Sequence, residues 1–500
     1  MYSLREMMRS TPWALKALAG MAATLQVVTA LQPGDADTMF NDWNRALLSS
    51  NGNTVFYKAA LNSQDMDQTW TGSLDIMGAE DAYERTGDEN TKTLINNLLH
   101  TWLDRTPPPW SWDGWNDDIG WFTMALIRGY QITGTREFLD QAKYGFDYAY
   151  GRGWDTEYND GGIWEENPEY TSGEPHKEAL SSNSLGKVAC LIYQSTNEQS
   201  YMDKCRGIYD WSWNHLFDWR TGAMHTGIYM DGTVNTAVAA YNQGTWLDYA
   251  NLVYKITGDT NVYNDAKRAI DYARASLTRN GIFTGGSFYN TWADEMARGV
   301  GNFVADNGLW DEYHDWMVQN ADAILQHRRT DIGLTWNAWD QQTPNDNSLI
   351  ANKFVSAVAW LQYTPASRPN RVRGIHLVTN EQTGMALDTS EGNDSGVRQL
   401  AKRGDQPQRW SFTQNSDDSW NIVNLATWQA IEASETGEGI VQSQPTRNET
   451  QRWIIDERED GAYKIWNKAT GHVLGGLFNP TNNSVPCKKR SEAHQRWIIE

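Results

Sequence analysis

One pattern recurs four times in the first half of the chain, and it limits the fold more than any other feature. Each copy opens on an aromatic residue, continues through a Thr-Gly or Thr-Asn break, and leads into an acidic residue and an apolar run at helical spacing. The copies begin at Tyr83, Tyr130, Tyr193 and Tyr254, so that successive copies start 47, 63 and 61 residues apart. We interpret each copy as the end of one helix, a tight turn with Gly at the C-cap, and a returning helix.

Helical hairpins repeated in this way bury their apolar faces by stacking on one another. A solenoid and a closed ring would both satisfy that requirement. The chain has room for about six hairpins between residues 35 and 362, which favours a closed double ring of helices. A coiled coil is excluded, because no heptad pattern continues through the Gly breaks.

Length and charge restrict the class of protein further. The chain has 500 residues, which predicts at least two domains, and its 40% hydrophobic and 21% charged residues are typical of a globular protein. A formal net charge of -21 argues against a nucleic acid as partner and against an anionic membrane surface. The 26 Trp residues exceed ordinary usage, and such side chains are either buried or used for stacking.

The N-terminus has the features of a targeting segment. Arg5, Arg9 and Lys16 precede an apolar stretch over residues 17–31, and small residues at 28–30 offer a cleavage site. This order predicts a secretory signal peptide over residues 1–30, with a first helix of the domain as the alternative. No lipid-anchor tail is found at the C-terminus. We therefore expect a secreted, extracellular protein without a membrane anchor.

Cysteines and glycosylation motifs agree with that compartment. Cys190 and Cys205 lie on two predicted helices on either side of a turn. They could form a disulfide or remain two buried free thiols, and the sequence does not decide between these alternatives. Cys487 has no obvious partner. Asn-x-Ser/Thr motifs predict glycosylation at Asn393, Asn448 and Asn482.

A different repeat begins after a Pro-containing linker at residues 364–370. Short alternating runs replace the helical periods, and Gln-Arg-Trp recurs at residues 408–410, 451–453 and 495–497, with spacings of 43 and 44. This repeat resembles the ricin-type β-trefoil, in which each lobe carries a Gln-x-Trp near its end. The resemblance implies an all-β trefoil over residues 371–500, with the repeated Gln and Trp in its core.

The same resemblance implies where a glycan would bind. Ricin-type lobes use an acidic residue well before the lobe's Trp, and here Asp388 lies 22 residues before Trp410, while Glu432 lies 21 before Trp453. The third lobe has Gly475 at that place, which offers no side-chain acceptor. The first lobe is therefore expected to bind glycan, the second less so, and the third not at all.

The candidate chemistry lies in Trp-Asn-Asp-Asp-Ile-Gly-Trp, residues 115–121, which opens the helix leading to Tyr130. Asp117 and Asp118 at a helix N-terminus are compatible with simple capping, whereas a Ca²⁺ site lacks the further oxygen ligands it would need. They also fit a retaining glycosidase, which needs two carboxyl groups roughly 5–5.5 Å apart. The helix dipole favours a charged nucleophile, and its charge raises the proton affinity of its neighbour.

This motif, followed by a helix and Tyr-x-x-Thr-Gly, resembles glycoside hydrolase family 76. Residues 161–164, 182–184 and 241–244 support the resemblance with Gly-Gly-Ile-Trp, Ser-Asn-Ser and Tyr-Asn-Gln-Gly. The family comprises endo-α-1,6-mannanases and fungal cell-wall relatives on an (α/α)6 barrel. The resemblance implies an all-α (α/α)6 barrel over residues 31–363, followed by the trefoil, with Asp117 as nucleophile and Asp118 as general acid/base.

Further residues are implied by the matching motifs. The expected cleft residues are Trp115, Trp121, Trp164, Asn183, Tyr241, Asn242 and Gln243. A plain turn at Gly161-Gly162 and a helix-capping Asn183 remain alternatives. The segment 293–299 fits the family pattern poorly, which predicts differences at distant subsites.

Together these features predict a secreted retaining endo-α-1,6-mannanase that hydrolyses cell-wall α-1,6-mannan and is tethered to glycan by its trefoil. A mannan transglycosylase of the cell wall and an inert glycan-binding protein are the alternatives. Neither a metal nor a cofactor is expected, because no metal-ligand spacing of His residues and no Gly-rich phosphate loop occur.

Overall fold

The computed structural model describes residues 30–51, 54–167, 173–284, 294–369, 371–389, 396–434, 439–458, 460–476, 485, 487–488 and 495–500. Residues 31–500 form one compact unit. The predicted signal peptide lies outside the described residues, apart from its last residue, Ala30.

The first part of the described chain is helical. Its twelve α-helices are α1 (Asp35–Leu47), α2 (Trp70–Thr86), α3 (Glu89–Arg105), α4 (Asn116–Thr133), α5 (Arg136–Gly153), α6 (Ala179–Thr196), α7 (Gln199–His215), α8 (Ala240–Thr257), α9 (Thr260–Ser276), α10 (Asp294–Asp306), α11 (Trp310–Gln326) and α12 (Asn352–Tyr363). None of the helices in the described ranges is long and apolar enough to cross a bilayer.

Six helices form a closed ring. Going around it, α2 contacts α4, α4 contacts α6, α6 contacts α8, α8 contacts α10, α10 contacts α12, and α12 returns to α2. These ring helices are buried along most of their length, whereas flanking helices such as α3, α5 and α9 bury one face only. Helices buried on all sides must be surrounded by other helices, which explains the second layer outside the ring.

The repeated pattern marks the turns between the two layers, as the sequence predicts. In each copy the carbonyl of the opening Tyr accepts a hydrogen bond from a left-handed residue four positions later, and this ends the ring helix. The four pairs are Tyr83–Gly87, Tyr130–Gly134, Tyr193–Asn197 and Tyr254–Gly258, at 2.7–2.8 Å. The turns thus join α2 to α3, α4 to α5, α6 to α7 and α8 to α9.

Two local features fix α6 in this arrangement. Cys190 of α6 and Cys205 of α7 form a disulfide across the hairpin, with their Cα atoms 5.2 Å apart, which decides between the two alternatives left open by the sequence. On the other side, a Cβ on Gly120 of α4 would lie 2.5 Å from the Ser184 hydroxyl. The Gly of the Asp-Asp-Ile-Gly motif therefore permits the close approach of α4 and α6.

Residues 294–299, the described part of the segment where the family pattern fits poorly, contribute a buried ion-pair network to the ring. The Arg298 guanidinium of α10 donates hydrogen bonds to Asp81 of α2 and to Asp294 and Glu295 of its own helix, at 2.6–3.2 Å. Lys187 of α6 also binds Glu295, at 2.6 Å. Three ring helices are therefore held together by charges that are almost completely buried.

Short strands occur among the helices, and longer ones make up the C-terminal part. The described strands are β1 (Leu48–Asn51), β2 (Thr54–Tyr57), β3 (His176–Glu178), β4 (Phe217–Asp218), β5 (Ala223–Met224), β6 (Gly227–Tyr229), β7 (Val234–Asn235), β8 (Thr278–Arg279), β9 (Ile282–Phe283), β10 (Gly374–Asn380), β11 (Met385–Thr389), β12 (Val397–Ala401), β13 (Arg409–Gln414), β14 (Trp420–Asn424), β15 (Ala430–Ala433), β16 (Ile440–Ser443), β17 (Trp453–Glu457), β18 (Tyr463–Asn467), β19 (Val473–Leu474), β20 (Cys487–Lys488) and β21 (Trp497–Ile499).

The C-terminal strands close into a barrel. Antiparallel pairs run from β10 to β13, β14, β17, β18 and β21, and β21 pairs with β10 again. Three further pairs, β11–β12, β15–β16 and β19–β20, are attached to this ring of six strands. Closure of this kind removes the exposed sheet edges of the barrel strands.

The three repeated Trp side chains lie in the core of this barrel. Trp410, Trp453 and Trp497 are fully buried, and each indole N–H donates to a backbone carbonyl 22 or 23 residues earlier, at 3.0 Å. The interpretation of the Gln-x-Trp repeat as a core element is confirmed for these Trp residues.

The barrel packs against the C-terminal ends of the ring helices. Arg447 donates to the carbonyls of Tyr83 and Glu84 at 3.2 Å, and its guanidinium lies over the Tyr83 ring. Arg409 stacks in the same way on Tyr254. The opening Tyr residues of two repeats therefore also serve as docking points for the second domain.

Candidate active site

The candidate site lies at the N-terminal ends of the ring helices, away from the β-barrel. The segment before α4 pairs with residues 165–167, because Asn116 N donates to the Glu165 carbonyl and Asn167 N to the Gly114 carbonyl, both at 2.8 Å. Glu165 N in turn donates to the carbonyl of His176 in β3, which leads directly into α6. This strip of paired backbone carries acidic side chains on neighbouring segments.

Asp117 and Asp118 occupy the first turn of α4, where the sequence places the catalytic pair. Asp117 is buried, and burial together with the charge of Glu165 raises the pKa of its carboxyl group. Burial and the neighbouring charge of Asp117 raise the pKa of Asp118 as well. Two desolvated carboxyl groups side by side cannot both ionise easily, so the pair retains a proton at neutral pH.

Asp113 raises the pKa of both carboxyl groups, and its hydrogen bond adds to the effect on Asp118. Its buried side chain is hydrogen-bonded to Asp118, and its charge further raises the pKa of Asp118. Backbone N–H groups at the start of α4 donate to Asp117 and favour its charged form. The surroundings therefore favour protonation of Asp118, whose pKa is raised to about 10, over protonation of Asp117, whose pKa is raised to about 8.

Arg152 of α5 holds the loop that carries these groups. Its guanidinium donates to the Asp113 carbonyl and to the Asn116 side chain at 2.7 Å, and to the Trp115 carbonyl at 3.2 Å. The Asn116 amide group donates to the Trp164 carbonyl at 2.8 Å. Neither Asp113 nor Arg152 was found from the sequence, because neither lies in a motif and their proximity depends on the fold.

A second acidic group faces Asp117 from the other side of the strip. His176 binds Glu165 at 2.5 Å, and this hydrogen bond raises the pKa of His176. Burial by itself would raise the pKa of Glu165, but the hydrogen bonds from His176 and Glu178 outweigh burial, so the pKa of Glu165 lies below its usual value. Glu178 is more deeply buried, and its pKa is raised well above the usual range, mainly by desolvation.

These three side chains place their ligand atoms within 4.8 Å of one another, a spacing that would suit a cation. In this structure the three side chains hydrogen-bond one another instead: His176 and Glu178 both donate to the charged Glu165 carboxylate. Sequence reasoning missed the group, since Glu165 and His176 come from segments that lack a recognisable spacing.

Lys177 anchors the loop that presents Trp164. Its buried ammonium group donates to the carbonyls of Asp155, Tyr158 and Gly161 at 2.5–2.6 Å and lies 4.8 Å from the centre of the Trp164 ring. Gly161 and Gly162 have φ angles of 138° and 90°, and a Cβ on Gly162 would lie 2.3 Å from Trp211. The Gly-Gly motif thus forms a tight turn that only glycine fits, which is the simpler of its two interpretations, and Trp164 follows two residues later.

The predicted aromatic residues are placed unequally. Trp115, two residues before Asp117, is 43% exposed, and Trp164 is buried within the loop just described. Trp121 is 2% exposed and belongs to the core of the ring, so the structure does not bring a free face of it to the cleft. Trp112, which the sequence did not single out, is 63% exposed and only three residues before Trp115.

The polar residues expected in the cleft also have different surroundings. Asn183 is fully buried, and neither atom of its side-chain amide has a hydrogen-bond partner among the described residues. Asn242 is buried beside Glu178, and Tyr241 is buried one residue earlier. Gln243 instead bonds to three backbone groups, Met224 N and the carbonyls of Gly222 and Ala269, so its amide ties α8 to β5 and α9 rather than joining the cleft.

The two acids expected to bind glycan lie beside the repeated Gln residues. Asp388 is 1% exposed, and one of its oxygens accepts from Gln408 and Arg403 at 2.8 Å while the other has no partner in the described chain. Glu432 accepts from Ser443, Thr450 and Gln451. Both acids are therefore fixed inside their lobes, and Asp388 alone keeps a free oxygen.

Of the predicted glycosylation positions, Asn448 is exposed, at the start of a turn that leads into β17. Asn393 and Asn482 lie outside the described residues.

Two family models match the chain. Glycosyl hydrolase family 76 matches residues 36–362, and the ricin-type beta-trefoil lectin domain-like family matches residues 361–439.

Curated relatives match over shorter stretches. A D-mannose isomerase of Marinomonas mediterranea is 33% identical over 89 residues, which cover 18% of this chain and 22% of the relative. A putative mannan endo-1,6-alpha-mannosidase of Schizosaccharomyces pombe is 22% identical over 247 residues, which cover 46% of this chain and 56% of the relative. The chain thus spans between about a fifth and just over half of the length of these relatives.

Among solved structures, the GH76A alpha-1,6-mannanase of a Salegentibacter species has a TM-score of 0.59 with 22% identity, and the match covers 66% of this chain and 97% of that one. An inactive variant of that enzyme has been solved with α-1,6-mannotriose. The likeness shows that the helical part of the chain has the fold of these proteins.

Proposed function

Since this chain belongs to glycosyl hydrolase family 76, we propose that it is a secreted, retaining endo-α-1,6-mannanase acting on the α-1,6-mannan of cell walls. The proposal includes the architecture: the ring of helices is an (α/α)6 barrel, and the strand barrel is a β-trefoil that binds glycan. Support comes from the mannanases that share the fold, one of which was solved with an α-1,6-mannotriose ligand.

The observation that carries the proposal is the unequal environment of two adjacent carboxyl groups. Asp118 is desolvated and hydrogen-bonded to Asp113, which favours its protonated form. Burial and the charge of Glu165 raise the pKa of Asp117 as well, but backbone N–H groups donate to Asp117 and favour its charge. A retaining glycosidase needs this division of roles, because one carboxylate attacks while the other carboxylic acid donates a proton.

In the first step, the Asp117 carboxylate attacks the anomeric carbon of a mannosyl unit. Asp118 gives its proton to the glycosidic oxygen, so that the bond breaks and the leaving chain departs as an alcohol. In the second step, the Asp118 carboxylate takes a proton from water, whose oxygen displaces Asp117 from the anomeric carbon. Each displacement inverts that carbon, so that the product retains the configuration of the substrate.

Neighbouring groups position the sugar for this chemistry. The exposed rings of Trp112 and Trp115 offer faces on which pyranose rings can stack.

The direct test is to incubate the protein with linear α-1,6-mannan and to follow reducing ends with time. We expect hydrolysis by the wild type, and a loss of about a thousandfold or more in the Asp117→Asn and Asp118→Asn variants. The change Tyr144→Phe on α5, an exposed position outside the site, is the control and should leave the rate unchanged. NMR of the first products should show the α-anomer, and an initial β-anomer would exclude retention.

The alternatives give different products. A transglycosylase would yield longer mannosides instead of a rise in reducing ends, which mass spectrometry resolves. An inert glycan-binding protein would release nothing, while the Asp117→Asn variant would bind mannan as tightly as the wild type.

The role of the second domain needs its own test. Asp388→Asn should weaken activity on insoluble cell-wall glycan and leave the hydrolysis of soluble oligomannosides unchanged. Equal losses on both substrates would contradict the proposed tether.

A further inference from the structure

The four most exposed Trp side chains in the described chain fall into two pairs. Trp112 and Trp115 lie beside the catalytic pair, whereas Trp213 and Trp219, which are 36% and 47% exposed, lie elsewhere on the helical domain. Large aromatic rings are usually buried, so a second exposed pair needs an explanation.

Trp213 and Trp219 line the same surface groove. The groove has a volume of about 430 Å³, within the range of roughly 300–1,000 Å³ that is typical of ligand sites. Its walls are α7, the turn between β4 and β5, and the start of α9. We call it the outer groove, and it shares none of its lining residues with the candidate active site.

Both rings are held in place by neighbouring groups. The Arg220 guanidinium lies 4.7 Å from the centre of the Trp219 ring, so it covers one face and leaves the other for a ligand. Trp213 is hydrogen-bonded to Asp265, whose carboxylate also accepts from the Tyr209 hydroxyl at 3.0 Å. Rings fixed in this way lose little conformational entropy when a ligand stacks on them.

The polar groups of the outer groove suit a neutral ligand that carries hydroxyl groups. Arg206 pairs with Asp210 at 2.9 Å, and Arg268 pairs with Asp265 at 3.2 Å, so the charges of the groove largely balance one another. The exposed amides of Asn261 and Asn264 line the same groove and offer both donors and acceptors. An ionic ligand would find little net field here, whereas a sugar would find both stacking faces and hydrogen-bonding groups.

We propose that the outer groove is a second carbohydrate-binding site, which holds a pyranose chain on the outer wall of the helical domain through Trp213 and Trp219. The choice of α-1,6-mannan as its ligand rests on the proposed function. Such a site would keep a long chain bound to the enzyme between cleavage events, without a role in the chemistry itself.

The groove also lies close to the first lobe of the β-barrel. Asp259, which lines the groove, follows the end of α8. There Gln406 of the first lobe donates to the Lys255 carbonyl at 2.8 Å. A chain leaving the groove at this end would therefore approach the lobe that carries Asp388.

Affinity electrophoresis in native gels containing α-1,6-mannan tests the site directly. The Asp117→Asn variant serves as the parent, so that the polymer is not degraded, and Trp213→Ala/Trp219→Ala is added to it. We expect the double change to weaken the apparent affinity about fivefold or more, and Trp219→Phe to retain most of it. Tyr144→Ala, which removes an exposed ring outside the groove, is the matched control and should bind as the parent does.

Kinetics with the intact catalytic pair provide the second readout. Trp213→Ala/Trp219→Ala should hydrolyse α-1,6-mannotetraose at the wild-type rate, which also shows that the variant is folded, and should be slower on the polymer. The proposal is overturned if the double variant binds mannan like the Tyr144→Ala control, or if the parent is not retarded by mannan at all. If retardation depends on both Trp residues but no hydrolysis is found, the groove is supported and the proposed activity alone fails.

Discussion

Replacing Arg298 with methionine tests the buried ion-pair network of the helical ring. The side chain is almost completely buried, and it is the shared partner of three buried carboxyl groups, Asp81, Asp294 and Glu295. Methionine fills much of the same volume but carries no charge. The change therefore removes the compensation of these acids while it leaves little empty space.

The contacts set the size of the effect. Asp81 keeps Arg128 at 2.7 Å and Glu295 keeps Lys187 at 2.6 Å, whereas Asp294 loses the hydrogen bond that Arg298 donates to it. Breaking a buried ion pair by removing one partner costs about 3–5 kcal/mol. Because two of the three acids keep another cation, we expect a loss within this range rather than above it.

Unfolding by urea at pH 7, followed by Trp fluorescence, measures the loss. Arg368→Met is the matched control, because Arg368 also bridges two acids, Asp311 and Asp315, but on the exposed surface. Solvent screens such pairs, so the control should unfold close to the wild type. Equal urea midpoints for Arg298→Met and Arg368→Met would refute the reasoning.

Two further measurements identify the cause as uncompensated charge. Asp294→Asn added to Arg298→Met should recover part of the lost stability, because it removes the acid that has lost its partner.

The stability difference between Arg298→Met and the wild type should also depend on pH. Burial by itself would raise the pKa values of Asp81 and Glu295, but their cation partners outweigh burial, so both pKa values lie below the usual range. The stability that these two acids contribute is therefore present at neutral pH and is lost as the pH falls through the lowered pKa values. The pKa of Asp294 is raised to about 6, mainly by burial, although Arg298 lowers it. Without Arg298 this acid protonates more readily, so the gap to the wild type should shrink as the pH falls from 8 towards about 6.

Three other outcomes are expected. Asp113→Asn removes a negative charge beside Asp118 and so lowers the pKa of Asp118. If Asp118 is the general acid, as proposed, it must be protonated, so the alkaline limb of kcat/KM on α-1,6-mannotetraose should move down by about one pH unit, and an unchanged limb would contradict this role. Cys190→Ser opens a loop with a sequence separation of 15, so the free energy of unfolding should fall by about 3 kcal/mol, and a reductant should destabilise the wild type but not the variant. Arg447→Met removes the contact with Tyr83, so a protease should cut the linker at residues 364–370 faster than in the wild type, and an equal rate would show that this contact does not hold the domains together.

The sequence was most informative where a repeat or a motif has a local physical cause. Tyr83, Tyr130, Tyr193 and Tyr254 mark helix ends because a left-handed residue must follow within one turn, and this requirement is visible in the chain. The repeated Gln-x-Trp likewise identifies a core position, since a buried Trp with a bonded indole group recurs once per lobe. Such patterns need no knowledge of what packs against them.

The sequence was less informative for side chains whose role depends on distant partners. Trp121 and Gln243 lie in motifs of the candidate site. Trp121 nevertheless packs in the core of the ring, and the amide of Gln243 is bonded to backbone groups of neighbouring segments. Asp113, Arg152 and Glu165 act at the site without any motif of their own.

The sequence by itself determined the helical repeats, the change to strands after residue 370, and the two adjacent aspartates, because each follows from the order of neighbouring residues. Only the tertiary structure decided that Cys190 and Cys205 are joined, that Arg298 compensates three buried acids, and that the β-barrel docks at the far end of the ring from Asp117. The 18 residues of α4 place these two ends about 27 Å apart. Which end of the ring the β-barrel occupies depends on contacts between residues far apart in the chain, and the order of neighbouring residues does not reveal those contacts.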